Sequence, residues 1–468
     1  MTNPFFYLEF EPAMENLGED YYDIVTPAPF PQHILRFANH SLLPLLGLNG
    51  ENITENDWVE AFGKFAGNRK CLALRYHGYQ FGQYNPFLGD GRGFLWAQVR
   101  GADNRLYDFG TKGSGKTPYS RTADGRLTLK GGVREVIATE TLHRLGVNTS
   151  RTFSLMETGE SLWRGDEPSP TRASVMVRLS HSHIRFGTFE RLHYLQRADL
   201  IKNLLDHVIY YYYPHLSRED NPYEQFYAEL VQRIAHLASE WMMAGFCHGV
   251  LNTDNMSITG ESFDYGPFAF INTYDPQFIS AYFDYSGRYC YGNQPLICRL
   301  NLEKLQVPLS LVMSSEVMGR ALDKFDFYYE NNYQKLMLRR LGLTNFKENE
   351  LNSKLVEETV KLLKESQTNY HQFFAHIKEE FNYGWQEKAD LILENQNLSS
   401  SNFKNWQYLY HQALKPLSKE ELNQVHDTLN KYNLKVIPTR AIIEEIWQPI
   451  NDEDNWDLFN EFLALIQD

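Results

Sequence analysis

The feature that most constrains this chain is a pair of short polar segments just past its middle. The first, HGVLNTDN, runs from His248 to Asn255, and the second is Asp264-Tyr265-Gly266. Amide and carboxylate oxygens are the hard ligands that Mg²⁺ prefers, usually together with the phosphates of a substrate. The two segments therefore predict a site for a metal ion and a phosphate chain.

The same spacing occurs in protein kinases, with one substitution. Kinases carry H-R-D-x-x-x-x-N and then D-F-G; the first Asp accepts the proton of the substrate hydroxyl, and the Asn and the second Asp hold Mg²⁺. Asn255 and Asp264 keep the metal positions here, but Val250 stands where the catalytic Asp would be. Because valine cannot accept a proton, the pattern predicts ATP chemistry other than ordinary phosphoryl transfer, or no catalysis.

Composition excludes several classes of partner. The chain has 468 residues, 43% hydrophobic, with a net charge of −14. Such a length suits two or three subdomains with sizeable cores. Nucleic acid and anionic membranes attract basic surfaces, so neither is expected as a partner.

The cysteines and the N-terminus indicate in which cellular compartment the protein is expected. The four cysteines form no C-x-x-C motif, which is typical of reduced thiols. The acidic N-terminus lacks the features of a secretion signal, and no apolar run is long enough to span a bilayer. A cytoplasmic location is therefore expected.

Hydrophobic periodicity divides the chain into a strand-rich part and a helical part. Short apolar runs predict strands at 71–76, 94–100, 105–112 and 174–179. A helix is predicted over 131–146, and another begins with Asn221 as cap and Pro222 in its first turn. The predicted regions are 1–190, an N-terminal extension and strand-rich nucleotide-binding part; 191–310, a helical part with the metal-binding loops; and 311–468, a helical C-terminal region.

A Walker A pattern at Gly110–Thr117 is a misleading match. That motif needs a helix to begin at its lysine, Lys116, whereas Pro118 and a run of turn residues follow. The segment has an alternative use, in which Lys112 ends a strand and pairs with Glu135 on the next helix to contact phosphate. A plain surface ion pair is the competing interpretation.

Other polar residues have two interpretations each. Gly89-Asp90-Gly91-Arg92 lets the backbone approach a ligand, or is a hairpin turn, and Asp124-Gly125-Arg126 repeats the ambiguity. Arg178 and Arg185 lie in apolar sequence, where phosphates or acidic side chains would satisfy them. Asp254 is either a proton acceptor, or a residue that binds a cation through water, or a turn residue.

Five segments together resemble one known family. They are YHGYQFGQYNPFLGDGRG, KGSGKTPYSRTADGR, VRLSHSHIRFGTFE, HGVLNTDNMSITGESFDYGPFAF and RYCYGNQPLICRLNLEKL, between residues 76 and 305. In this order they resemble the selenoprotein O family of protein adenylyltransferases, also called the YdiU family. The resemblance implies an α+β, bilobal protein-kinase-like fold with a divergent helical C-terminal region. It also implies that ATP binds in a flipped orientation, so that AMP passes to Ser, Thr or Tyr hydroxyls of proteins and pyrophosphate leaves.

The resemblance also assigns roles by motif position. Asp254 would be the proton acceptor, and Lys112, oriented by Glu135, would act on the phosphates. Asn255 and Asp264 would bind Mg²⁺, with Mn²⁺ as an alternative ion. The implied ATP-binding residues are Gly89, Gly91, Arg92, Lys112, Asp124, Gly125, Arg178, Arg185 and Asp264. Acceptors would be other proteins, or the enzyme itself through self-modification.

The sequence departs from the family in its last third. Family members generally carry a cysteine or selenocysteine close to the C-terminus, and this chain has none after Cys298. Redox control through such a thiol is therefore not carried over. Two rival functions remain open: a conventional kinase, and a non-catalytic ATP-binding regulator of the pseudokinase type.

Overall fold

A computed structural model of the protein describes residues 3–67, 69–165, 167–344, 350–396, 398 and 400–467. It is a mixed α/β structure, in which most strands precede residue 181 and most helices follow it. The strands are β1 Tyr22–Val25, β2 Ile34–Ala38, β3 Cys71–Leu74, β4 Gly78–Gln80, β5 Gln83–Asn85, β6 Leu95–Arg100, β7 Leu106–Lys112, β8 Leu127–Thr128, β9 Arg151–Leu162, β10 Thr171–Ser180, β11 Phe246–Cys247 and β12 Ala269–Phe270.

The helices surround and extend this strand-rich part. They are α1 Ala13–Leu17, α2 Glu55–Trp58, α3 Leu129–Arg144, α4 Phe186–Tyr194, α5 Ala198–Tyr212, α6 Pro222–Met243, α7 Gln294–Leu309, α8 Ser315–Leu322, α9 Phe325–Arg340, α10 Glu350–Ser366, α11 Tyr370–Glu380, α12 Phe403–Leu414, α13 Lys419–Tyr432, α14 Arg440–Glu453 and α15 Asp457–Gln467. None of the described helices combines the length and the hydrophobicity needed to cross a bilayer.

The main sheet has eight strands in the order β1-β3-β6-β7-β10-β9-β2, with β8 also paired to β10. Neighbouring strands are antiparallel, and Arg178 in β10 lies opposite Gly110 in β7. Strands β7 and β10 are buried almost throughout, because layers of apolar side chains cover both faces of the sheet. One face packs against α3 through residues such as Val133 and Leu155, and the other packs against an aromatic cluster around Phe62 and Phe109.

The predicted strands and helices are present, with shifted ends. Helix α3 begins at Leu129 because the Thr128 hydroxyl accepts a hydrogen bond from Gly131 N and caps it two residues earlier than predicted. Asn221 is the N-cap of α6 and Pro222 begins the helix, as predicted, but the Asn221 side chain makes no capping hydrogen bond. The long strand β9 was not predicted, because its polar residues and Gly159 obscure the alternation.

The last helices return to the sheet. Residues of α14 and α15, such as Ile443 and Phe462, belong to the same apolar core as Val136 of α3. Two ion pairs reinforce this contact: Lys130 Nζ to Glu444 Oε2 at 2.8 Å, and Arg172 to Asp454 at 2.6 Å. The C-terminal end of the chain thus helps to hold α3 in place.

Candidate active site

A cavity of about 340 Å³ lies where the main sheet meets the loops that follow α6. Its lining combines glycines, aromatic rings, five cationic side chains and three carboxylates. The lining residues are Tyr76, Gln80, Leu88, Gly89, Asp90, Gly91, Arg92, Gly93, Thr111, Lys112, Tyr119, Ser120, Arg121, Ala123, Arg178, Arg185, Asp254 and Asp264. Gly89, Gly91, Arg92, Lys112, Arg178, Arg185, Asp254 and Asp264 are the predicted site residues among them.

Strands β11 and β12 hold both polar motifs at the cavity. The two short strands pair antiparallel, Phe246 with Phe270, so the chain between them is a loop with fixed ends. This loop carries HGVLNTDN and Asp264. His248 is buried in it and its Nε2 lies 3.0 Å from the carbonyl oxygen of Phe263, which joins the two motifs directly.

Lys112 lies between two carboxylates. It is the last residue of β7, and its Nζ donates to Glu135 on α3 and to Asp264 Oδ1 at 2.5 Å. The Lys112 and Glu135 side chains are only 6% and 2% exposed. Burying both charges is tolerable because they are paired. The Lys112–Glu135 pair predicted from the sequence is therefore buried rather than a surface ion pair.

Asp264 is the electrostatic centre of the site. Its backbone has φ of 64°, a left-handed conformation that costs energy for a residue with a side chain and is often found at functional sites. Arg178 and Arg185 lie 3.9 and 4.0 Å from its carboxylate. Burial by itself would raise the pKa of Asp264, but the nearby cations, led by Lys112, hold that pKa well below its usual value. Asp264 is therefore ionised at neutral pH.

Arg178 is oriented by a buried histidine. Its Nε lies 3.3 Å from His183 Nε2, and His183 Nδ1 lies 3.3 Å from Asp108 Oδ2. Since arginine can only donate, His183 Nε2 accepts and its Nδ1 carries the proton toward Asp108. Burial lowers the pKa of His183, which agrees with a neutral ring. Gly110 makes room for this ring, because a Cβ there would overlap His183 Nε2.

Arg185 connects the loops on the two sides of the cavity. Its Nη1 donates to the carbonyl of Asp254 at 2.8 Å, and its Nη2 lies 3.4 Å from Asp90 Oδ1. The guanidinium also stacks 4.4 Å from the ring centre of Tyr76. Two buried donors remain without a hydrogen-bond partner, Arg185 Nε and Arg178 Nη1. A buried donor left unpaired costs free energy, so an anionic ligand in the cavity would relieve both.

Asp254 and Asn255 lie in a short 3₁₀ turn of the same loop. Asp254 Oδ1 is buried without a hydrogen-bond partner, and burial raises the pKa of this carboxyl to about 6 against the opposing effect of Arg185. Gly78 leaves space for it, since a Cβ there would come within 2.7 Å of Oδ1. Asn255 Nδ2 donates to the carbonyl of Val250 at 3.0 Å, so its amide oxygen is the atom left for a cation.

The donor set fits a hard divalent cation that keeps much of its own shell. Across the described ranges, no group of three or more His, Cys, Asp or Glu residues is arranged to hold a metal. The ionised Asp264, the unpartnered Oδ1 of Asp254 and the amide oxygen of Asn255 are all oxygen ligands. Mg²⁺ is commonly bound by one or two carboxylates together with phosphates and water. The residues present therefore suit Mg²⁺ or Mn²⁺ better than zinc.

The glycine loop is packed tightly against residues 117–120. A Cβ at Gly89 would overlap the Tyr119 ring, and the Ser120 hydroxyl donates to the carbonyl of Gly91. Thr117 Oγ1 donates to the carbonyl of Asp90 at 2.5 Å. The glycines thus allow two loops to close over the cavity. The chain from Pro118 to Gly125 forms turns, so the helix of a Walker A motif is absent there, and Lys116 is exposed.

Four predicted residues do not line the cavity; one of them, Glu135, lies behind it and binds Lys112. Asp124 accepts from Arg164 at 2.8 and 3.0 Å and from the backbone of Arg126, which turns its carboxylate away. Gly125 has φ of 74° and lies so close to Gly115 that a Cβ would overlap its backbone, which explains the glycine structurally. Asn255 lies beside the cavity, next to Asp254. The roles of these four residues remain predictions.

Comparison with known proteins identifies the family. The family described as "Protein adenylyltransferase SelO" matches residues 4–467. The chain belongs to the SelO family. A relative from Trichormus variabilis named "Protein nucleotidyltransferase YdiU" is 57% identical over 470 residues, which cover 99% of this chain and 97% of the relative. Proteins of the same name from Synechocystis sp. and Pseudomonas fluorescens are 56% identical over 100% of this chain and 99% of the relative, and 38% identical over 80% and 76%.

SelO membership confirms the resemblance seen in the sequence and makes the chain an enzyme of the nucleotidyltransferase class. Some lining residues of this SelO site were not predicted. Asp90, Tyr119 and Arg121 line the cavity, and Asp108 fixes His183 behind it. Asp90 lies inside the glycine segment and could have been chosen from its position there. Asp108 and Tyr119 had no local signal, since both act through partners distant in sequence.

Proposed function

We propose that this protein transfers AMP from ATP to Ser, Thr or Tyr hydroxyls of proteins, on a bilobal kinase-like arrangement of the sheet and the helices. The observation that carries the proposal is the cavity itself, in which Lys112, Arg178 and Arg185 surround Asp264 while Asp254 presents an unpartnered carboxylate oxygen. Membership of the SelO family supports the same reaction.

The cations suit a triphosphate. Lys112 is held by Glu135 and cannot swing away without breaking a buried pair. Arg178 and Arg185 each have a buried donor without a hydrogen-bond partner, and phosphate oxygens would satisfy these donors in the forked geometry of arginine. The flipped orientation of ATP expected from the resemblance would turn the α-phosphate, rather than the γ-phosphate, toward the acceptor.

Asp264 and Asn255 would hold Mg²⁺, or Mn²⁺, with Asp254 beside them. When bound, the ion would supply positive charge to the phosphates. Lys112, Arg178 and Arg185 add fixed positive charge where pyrophosphate forms, and preorganised charge of this kind lowers the barrier to its departure.

Asp254 is suited to accept the acceptor's proton. The hydroxyl oxygen forms a bond to the α-phosphorus, the bond from that phosphorus to the pyrophosphate oxygen breaks, and the hydroxyl proton passes to Asp254. Burial raises the pKa of Asp254 to about 6, close to the pH at which a general base is most effective. Val250 stands at the position of the kinase base and cannot accept a proton, so another residue of the loop must do so.

The test is incubation with Mg²⁺ and ATP labelled on either the α- or the γ-phosphate, followed by intact-mass analysis of the enzyme and of added proteins. Transfer of the α-label with a mass gain of one AMP is expected, on the enzyme itself if self-modification occurs. Transfer of the γ-label would make the protein a conventional kinase. Thermal stabilisation by ATP without transfer of either label to any protein would make it a non-catalytic regulator.

A further inference from the structure

Two basic side chains flank the hairpin formed by β4 and β5, outside the nucleotide cavity. The Arg288 guanidinium packs on Gly82 in the hairpin turn, 3.6 Å from where a Cβ would stand, and its Nε has no hydrogen-bond partner. Lys304 Nζ lies 3.9 Å from the ring centre of Tyr79. Within the described part of the chain, no carboxylate lies within 4.0 Å of either cation. Arg288 Nε itself is buried, but both residues are partly exposed, so their charges can attract a ligand outside the cavity.

Exposed aromatic side chains lie beside the same hairpin. Phe81 at its turn contacts Phe283 with ring centres 6.0 Å apart, and Phe283 contacts Tyr282 at 5.1 Å. Phe81, Tyr282 and Phe283 are 38%, 74% and 37% exposed. We call these three residues the aromatic rim. Aromatic side chains and arginine are the residue types that dominate protein-binding surfaces.

The hairpin is attached to the proposed catalytic loop. Tyr79 N donates to Thr253 Oγ1 at 2.8 Å, and Phe81 N donates to Asn252 Oδ1 at 3.3 Å. Gln80, between them, lines the nucleotide cavity. A polypeptide bound on the rim would therefore lie next to Asp254, the residue that follows Thr253.

We propose that the β4–β5 hairpin, the aromatic rim, Arg288 and Lys304 form the surface that binds the acceptor protein. The acceptor would contribute a segment that carries acidic side chains and an aromatic or large aliphatic side chain near the hydroxyl to be modified. This inference rests on the proposed function, because it assumes that a protein is the acceptor. The local charge of the surface carries the choice of partner: two cations with no carboxylate within 4.0 Å of them favour an acidic segment, although the chain as a whole has a net charge of −14.

Nucleotide and nucleic acid are weaker occupants of this surface. Arg288 and Lys304 do not line the cavity, so the phosphates there have Lys112, Arg178 and Arg185 instead. A nucleic acid backbone needs a broad basic surface to gain affinity from released counterions.

The test is fluorescence anisotropy with short labelled peptides and the full chain, measured with Mg²⁺ and a non-hydrolysable ATP analogue present. One peptide carries Ser among Glu, Asp and Phe, a second replaces the acidic residues by Lys, and a third keeps the acidic residues but replaces Phe by Gly. The first is expected to bind at least about tenfold more tightly than either of the others, and the difference in affinity from the second should shrink as salt is added.

Variants locate the binding. Arg288→Glu with Lys304→Glu, and separately Tyr282→Ser with Phe283→Ser, should each weaken the first peptide about tenfold. The matched charge change Lys415→Glu with Lys419→Glu, at exposed positions after the end of α12 and at the start of α13, should leave peptide affinity unchanged. Thermal unfolding of each variant separates a lost contact from a lost fold.

Binding and catalysis distinguish the two proposals. Three results would overturn the proposed acceptor surface. They are equal affinity for all three peptides, tighter binding of the Lys peptide or of an oligonucleotide, and no effect of the rim variants. If transfer of the α-label to a protein still occurred, the proposed function would stand without the proposed acceptor surface. Selective peptide binding without any label transfer would instead support the surface and reject the adenylyl transfer.

Discussion

The substitution Asp264→Asn should separate nucleotide binding from metal binding. Asp264 is the carboxylate nearest to Lys112 Nζ after Glu135, at 2.5 Å, and lies 3.9 and 4.0 Å from Arg178 and Arg185. Asparagine keeps the size of the side chain and removes its charge. In the absence of metal, the variant should bind ATP more tightly than the native protein. The native Asp264 carboxylate repels phosphate and forms ion pairs with the cations that would bind it, and the variant lacks that charge.

The size of the effect can be worked out from the competition between Asp264 and a phosphate for the same cations, two of which lie about 4 Å from the Asp264 carboxylate. Two unit charges about 4 Å apart interact by about 4 kcal/mol at an effective dielectric constant of about 20. Phosphates would lie somewhat beyond the cations and solvent would screen part of the repulsion, so about half of this value, about 2 kcal/mol, is expected. That corresponds to metal-free affinity about thirtyfold higher than in the native protein. Adenylyl transfer should fall by at least about a thousandfold, since the metal position is lost.

Isothermal titration calorimetry with ATP, in EDTA and in Mg²⁺, measures both parts of this prediction. The native protein should bind more tightly when Mg²⁺ is added, and the variant should not. Asp427→Asn, on α13, is the control for the general effect of a lost negative charge. Equal metal-free affinities of the variant and the native protein would refute the electrostatic reasoning, as would an undiminished effect of Mg²⁺ on the variant.

Three further predictions concern other parts of the site and the core. Lys112→Met should abolish transfer of the α-label in a filter assay, whereas Lys116→Met, at an exposed lysine, should leave it near the native rate; the reverse result would favour a Walker-type site. Gly110→Ala should push the ring of His183 from its place, weaken ATP binding at least about tenfold and cost about 1–3 kcal/mol in urea unfolding. Burial raises the pKa of Glu261 from its usual 4.5 to about 8, so the unfolded chain ionises first and the free energy of unfolding falls as pH rises between these values. Glu261→Gln should therefore stabilise the protein at pH 8 by up to about 4 kcal/mol relative to its effect at pH 5, and an equal effect at both pH values would contradict this.

The sequence predicted those parts of the site that depend on order along the chain. Lys112 and Glu135 could be paired because Lys112 ends a strand and Glu135 lies on the next helix along the chain, which can pack against that strand. Asn255 and Asp264 could be expected in one loop because few residues separate them, and their shared metal role stays a prediction. Asp124 shows the limit: its local D-G-R pattern indicates a turn, but only the position of Arg164 in space determines which way the carboxylate points.

Contacts between distant segments could not be predicted in the same way. The hydrogen bond from Arg185 to the carbonyl of Asp254, and the placement of Arg178 by His183 and Asp108, join residues from separate strands and loops. No periodicity or spacing encodes such partners, because they follow from how the β7–β10 register aligns the strands. Strand β9 was missed for a related reason, since its burial is set by the neighbouring strands and by α3.

The packing of α14 and α15 on α3 makes the end of the chain a thermodynamic partner of the nucleotide. Since α3 carries Glu135, the free energy that docks the last two helices also supports the position of Lys112. Coupling of this kind is reciprocal. If docked α14 and α15 raise the affinity for a nucleotide that needs Lys112 in place, bound nucleotide must stabilise the docking of these helices by the same factor. Slower amide hydrogen exchange in α15 on addition of ATP is the expected sign of this linkage, and a fusion partner that displaces α15 should weaken ATP binding from outside the cavity.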